Sequence, residues 1–136
     1  SVLLKNIELN HLEPIVTVHS CALGAESGKG VQSNFSLGNT GMNRVDKVSD
    51  ASTVSTTDIK RLDDFAISNV DFIKIDVEGF ETDVLKGAAA TLAQHQPVVM
   101  IEVFENSREE VEQMMQQYGY RKFITLEQYN TIYIPA

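Results

Sequence analysis

The chain is short of several things that carry function in other proteins. It has one cysteine, Cys21, so no intrachain disulfide can form, and a reducing, cytoplasmic setting is the default expectation. Lying at the end of an apolar run, that thiol reads as a buried structural group rather than a nucleophile. No apolar stretch approaches the ~20 residues that cross a bilayer, and Lys5 and Glu8 bring charge too early for a secretory signal. No membrane partner is therefore expected. The first residue is Ser1 rather than methionine, as in a trimmed chain. Positive charge is also scarce: 11 Lys and Arg stand against 19 Asp and Glu, a net charge of −8. Such a surface repels phosphate backbones. The regions around Arg44 and Lys47, and around Lys60 and Arg61, mix both signs instead of forming a basic patch, so nucleic acid is not an expected partner.

The common catalytic signatures are missing as well. There is no Gly-x-x-x-x-Gly-Lys-Ser/Thr phosphate loop, no His-Glu-x-x-His and no Gly-x-Ser-x-Gly elbow. His11, His19 and His95 lie in unrelated settings, and His95, beside Gln94, Gln96 and Pro97, reads as a solvated loop residue. No repeat or low-complexity tract is present.

What remains is an ordinary composition for one domain over residues 1–136, with 43% hydrophobic and 22% charged side chains. Residues 1–12 read as a short helix with Leu3, Leu4 and Ile7 on one face, closed by Pro14. Residues 15–23 alternate as a strand. Residues 24–57 are rich in Gly, Ser, Thr and Asn and read as a long connection, either functional or a mobile surface loop. Within it Val31, Phe35 and Leu37 suggest one short strand before a turn at Gly38, Asn39, Thr40 and Gly41.

From there the pattern sharpens. A short helix is expected over 59–67 and a strand over 72–77. A helix follows over 80–94, with Val84, Leu85, Ala88 and Leu92 facing inward. Residues 97–104 form a nearly continuous apolar strand of the kind covered on both faces. Ser107 and Glu110 suggest a capping box opening a helix whose core face is Val111, Met114, Met115 and Tyr118, stopped by Gly119. Residues 120–124 and 129–134 read as an antiparallel pair at the sheet edge. Strand and helix alternate, which argues for an α/β sheet with parallel central strands.

In such sheets ligands bind beyond the carboxyl ends of the strands. Asp76 and Glu78 occupy that end of one strand and Glu102 that of the next, so three carboxylates are expected to converge. Lys74, two residues before Asp76, shares its face and can offset the charge. Each acid has a plainer reading: Glu78 and Glu81 fit the favourable field of a helix N-terminus, and Gly79 fits a tight turn. Clustered carboxylates raise one another's pKa. A general base or a divalent-cation site is therefore conceivable, and nothing in the sequence fixes either.

Residues 70–87, reading VDFIKIDVEGFETDVLKG, resemble the signature block of the FkbM-type methyltransferases. Residues 97–102, reading PVVMIE, resemble that family's next strand with its terminal glutamate. Residues 4–10, residues 21–24 and the Leu62-Asp63-Asp64 step resemble its upstream elements. The resemblance implies a truncated Rossmann-like methyltransferase sheet, with parallel central strands and an antiparallel C-terminal pair. It also implies S-adenosylmethionine-dependent O-methylation: in-line attack of a small-molecule hydroxyl on the activated methyl, with orientation supplying much of the acceleration. On this likeness the candidate catalytic residues are Asp76, Glu78, Glu102 and Lys74. Asp76 or Glu78 would position or deprotonate the hydroxyl. Ala22, Asn34, Ser36 and Asn39 are the implied cofactor contacts, and no metal ligand is implied.

One departure stands out. Family members begin with a strand ending in Asp-x-Gly-Ala-Asn-x-Gly, which grips the cofactor, and a second ending in Glu-Pro, and neither motif occurs here. The chain alone is therefore not expected to bind S-adenosylmethionine. Without those two strands the 72–77 strand has a bare edge. The resemblance then implies a homodimer covering that edge, a sheet rearranged so that the 15–23 strand pairs with 72–77, or a missing N-terminal segment. Two other functions remain open, a non-catalytic binding module that kept the fold and a metal-dependent hydrolase using Asp76, Glu78 and Glu102.

Overall fold

The computed structural model describes residues 1–34, 43–47 and 56–136, with 31–34 and 43–47 as backbone only. The main sheet has the order β5-β6-β8-β7, made by β5 (Phe72–Ile75), β6 (Val98–Glu102), β7 (Tyr120–Leu126) and β8 (Asn130–Pro135). β5 and β6 run parallel; β6–β8 and β8–β7 are antiparallel. The parallel core and the C-terminal antiparallel pair are thus as the sequence indicates. A second sheet, β1-β4-β2-β3, combines β1 (Ala22–Leu23), β2 (Gly28–Asn34), β3 (Asn43–Lys47) and β4 (Thr56–Lys60).

The core lies under the main sheet. Leu85, Val99, Ile101, Val103, Val111 and Met115 are fully buried, with Val84, Ala88, Leu92 and Tyr133 beside them. The inward faces expected for the two central helical stretches are therefore found. α4 (Arg108–Gln117) buries Val111 and Met115, packs Met114 and Tyr118 against the core, and ends at Gly119, whose φ of 82° suits a residue without Cβ.

Several expectations are corrected. The stretch 15–23 forms a strand only at Ala22 and Leu23, where it pairs with Ile59 and Lys60. It does not pair with β5, so the rearranged sheet is not formed. Ile15 and Val16 are exposed and have no ladder to hold them. The expected 59–67 helix is instead the end of β4, where Ile59 points inward, followed by a 3₁₀ turn at Leu62–Phe65. The long connection contains the β2–β3 hairpin, and the turn expected at 38–41 lies outside the described residues.

The single helix expected over 80–94 is two, α2 (Glu81–Lys86) and α3 (Ala89–His95), broken at Gly87 and Ala88. The glycine at the break is sterically required. A Cβ on Gly87 would stand 2.1 Å from the Gly24 carbonyl oxygen, so the chain end of β1 packs on backbone there. α1 (Val2–Leu9) is shorter than expected and buries Ile7, while Leu3 and Leu4 stay exposed. Ser107 does not close a capping box; its hydroxyl donates to the Phe104 carbonyl at 3.3 Å. Cys21 is half-buried, and His95 closes α3 half-buried instead of standing in a loop.

Candidate active site

β5 and β6 bring the acids together by register. The last registered pair is Ile75 with Ile101. Asp76 and Glu102 follow immediately on two parallel strands, so they emerge side by side at the carboxyl rim. Alternation along β5 turns Ile75 into the core and leaves Lys74 on the face shared with Asp76. The Lys74 ammonium lies 3.4 Å from Asp76 Oδ2 and 4.0 Å from Glu102 Oε2, between the two carboxylates. It also reaches the Ile75 carbonyl at 3.4 Å.

Glu102 is the group whose titration the rim changes. A hydrogen bond shared with Asp76 raises its pKa above the ordinary carboxylate range. Burial and the negative charges of Asp76 and Glu78 push the same way, while Lys74 opposes them.

This has a stability consequence. An acid with a raised folded pKa binds its proton more tightly in the folded chain than in the unfolded one. Its contribution is present in acid and is lost as pH rises through the folded pKa. Glu102→Gln removes the repulsion, so thermal melts at pH 7–8 should show a variant more stable than the parent, by ~0.5 kcal/mol for partly exposed charges. The gain should vanish at pH values below the ordinary carboxylate range.

Glu78 sits in the turn after β5 with φ of 50°, followed by Gly79 at 95°. Two successive left-handed residues make this turn sharp, and a non-glycine residue adopts such a conformation only at some cost. The Gly79 amide donates to Glu81 Oε1 at 2.7 Å, and the Glu81 side chain is buried. Sequence reasoning treated Glu81 as an ordinary first-turn acid, and nothing in its position along the chain distinguishes the two roles.

The Leu62-Asp63-Asp64 step serves the scaffold. Asp63 accepts from the amides of Ala90 (3.1 Å) and Thr91 (2.9 Å) and from the Thr91 hydroxyl (2.8 Å), capping α3 from a distant segment. Its own amide donates to the Gly87 carbonyl at 3.0 Å. Asp64 instead accepts from Ser27 and Arg61, which holds its pKa below the usual range.

Of the four expected cofactor contacts, Ala22 and Asn34 fall among the described residues, both in the second sheet. Ala22 is half-buried in β1 opposite Ile59. Asn34 ends β2 opposite Asn43, in the second sheet. Ser36 and Asn39 lie outside the described residues. Beside β5 runs a groove of about 320 Å³, lined by apolar side chains such as Leu23, Leu62, Phe72, Ile73 and Val77, with Lys74 its one charged member. Lys74 is the only charged group this groove offers to a methionine carboxylate, and it already faces Asp76 and Glu102. Also among the described residues, no group of three or more His, Cys, Asp or Glu side chains is arranged to hold a metal ion, and no helix is long and apolar enough to cross a membrane.

A parallel strand pair continued by an antiparallel pair, with a carboxylate rim at the parallel strand ends, defines a mixed α/β domain. The chain belongs to the methyltransferase FkbM domain family, whose description matches residues 4–122, and S-adenosylmethionine is the methyl donor that this family implies. The crystal structure of methyltransferase FkbM from Methylobacillus flagellatus KT is similar to it, with 21% sequence identity and a TM-score of 0.60. That likeness covers 97% of this chain and 32% of the other, and at this identity it concerns the fold. The chain thus spans about a third of that relative's length. No curated protein matches it.

Proposed function

We propose that residues 1–136 form one partial FkbM-type O-methyltransferase domain that supplies the acceptor side of the site. Asp76, Glu78, Glu102 and Lys74 face a small-molecule hydroxyl. The observation that carries this reading is the Asp76–Glu102 pair at adjacent parallel strand ends, with the Lys74 ammonium between the two carboxylates. Asp76 or Glu78 orients or deprotonates that hydroxyl, and Lys74 limits the build-up of negative charge. The setting is cytoplasmic, in keeping with a lone thiol.

Methyl transfer also needs S-adenosylmethionine, and the glycine motif that grips it in the family is absent from this sequence, so on this reading the chain is inactive alone. Isothermal calorimetry of S-adenosylmethionine into the purified chain should show no binding. Micromolar affinity would overturn this part of the reading.

A second feature favours association. Among the described residues β5 is paired on one side only, and Phe72 and Ile67 beside its free edge are 54% and 47% exposed. Bare apolar strand edges invite pairing, and a homodimer closes this one. Light scattering should then give twice the 15.1 kDa chain mass, and Phe72→Asp should return it to monomer. A monomeric parent at tens of micromolar would contradict the dimer.

A further inference from the structure

We propose that Glu81 is the positioning residue of the acid rim, its buried carboxylate fixing the Glu78–Gly79 turn through the Gly79 amide and so setting where Glu78 points. The inference rests on the reading of the rim as an acceptor site, but concerns its geometry and is tested without methyl transfer.

Three observations converge on it. Glu81 is 1% exposed, and a carboxylate taken out of water is kept only where donors replace the water. Its Oε1 takes the Gly79 amide at 2.7 Å, a short bond of the charge-assisted kind. The residues held by that bond are the two left-handed ones, Glu78 at 50° and Gly79 at 95°; the former has no intrinsic preference for this region. An α2 acid that merely answered the helix field would stay in solvent, at little cost and with the same benefit. Burial beneath the turn is what a clamp requires. The arrangement also accounts for the spacing between Glu78 and Glu81. Two residues after Gly79, the side chain at the start of α2 can reach back to that amide while Glu78 stays free to face the rim.

The position of Glu78 has a reporter. Its charge is among those that raise the Glu102 pKa, together with Asp76 and against Lys74, whereas Glu81 is not among them. Carboxyl-carbon NMR titration of Glu102, with the Gly79 amide proton as a second signal, therefore reads the turn rather than the Glu81 charge. In the parent the Gly79 proton should lie well downfield, as expected for donation to a carboxylate. Glu81→Ala should move it upfield and lower the Glu102 titration by the small part that Glu78 contributes beside Asp76 and burial. Glu81→Gln keeps an acceptor at the same place and should leave the Glu102 titration at the parent's value.

Gly79→Ala disturbs the turn from the backbone side, where a Cβ meets open space but the φ is unfavourable. It should shift Glu102 in the same direction as Glu81→Ala, and it stands in for that variant if Glu81→Ala does not fold. An unchanged Glu102 titration in folded Glu81→Ala or Gly79→Ala overturns the proposal. So does a Glu81→Gln chain that shifts Glu102 as far as the alanine variant, because the effect would then be one of charge. Failure of a small-molecule hydroxyl acceptor to bind at the rim would leave all of these outcomes untouched and would count against the methyltransferase reading alone.

Discussion

Replacing Gly87 with alanine should cost the fold about 3 kcal/mol or more and lower the melting temperature by roughly 10 °C. The φ at this position is −76°, an ordinary helical value, so backbone freedom is not the issue. Space is. An added Cβ would sit 2.1 Å from the Gly24 carbonyl oxygen and 3.0 Å from its carbon, with Arg61 Cα at 3.4 Å. All three neighbours are backbone, so no side-chain rotation relieves the clash. The α2–α3 junction and the end of β1 must separate, which would also loosen Leu23 and Leu62 from the core they pack against. Gly79→Ala makes an informative contrast. It meets open space at φ of 95° and should cost only ~1 kcal/mol from conformation. Denaturant unfolding of the two variants separates the causes, and equal losses would contradict the steric account.

Asp63→Ala is the second large effect. It removes the acceptor of three bonds, two of them from free amides at the start of α3 and one from Thr91 Oγ1. A lost cap is worth ~1 kcal/mol, and bonds to a charged acceptor are worth ~1.5–3 kcal/mol together with the donors left unpaired. A loss of about 2 kcal/mol is expected, which a chain of this size reads as ~6–10 °C in melting temperature. Asp63→Asn keeps one acceptor oxygen and should lose about half as much. Asp64→Ala is the control: its partners are the exposed Ser27 and Arg61, and its effect should be much the smaller of the two.

These sites show what the sequence made legible. Local periodicity revealed the inward faces of α2, α3 and α4, the β5 and β6 strands and the C-terminal hairpin, because each side chain there is sorted by burial alone. The carboxylate rim was legible too, since parallel strands of adjacent register must deliver Asp76 and Glu102 to one end. Periodicity failed where a distant segment decides. Nothing local to Gly87 announces that the Gly24 backbone crosses there, so one helix was expected where two exist. Thr56–Lys60 carries a strand pattern only in its pairing with β1 and β2, and Leu62 and Phe65 gave a misleading helical spacing. Residues 15–20 alternate as a strand but have no partner. Asp63 and Glu81 looked like surface acids, and only the fold reveals that one caps a helix 27 residues on while the other lies buried under a turn.

The central claim is that Asp76 and Glu102 meet at the ends of two adjacent parallel strands, where Asp76 raises the Glu102 pKa. The most direct measurement is a carboxyl-carbon NMR titration of Glu102 in the parent and in Asp76→Asn. Glu102 should titrate above the ordinary glutamate range in the parent and fall back toward it when the Asp76 charge is removed. An unshifted Glu102 in the parent, or one that Asp76→Asn leaves where it was, would contradict the account.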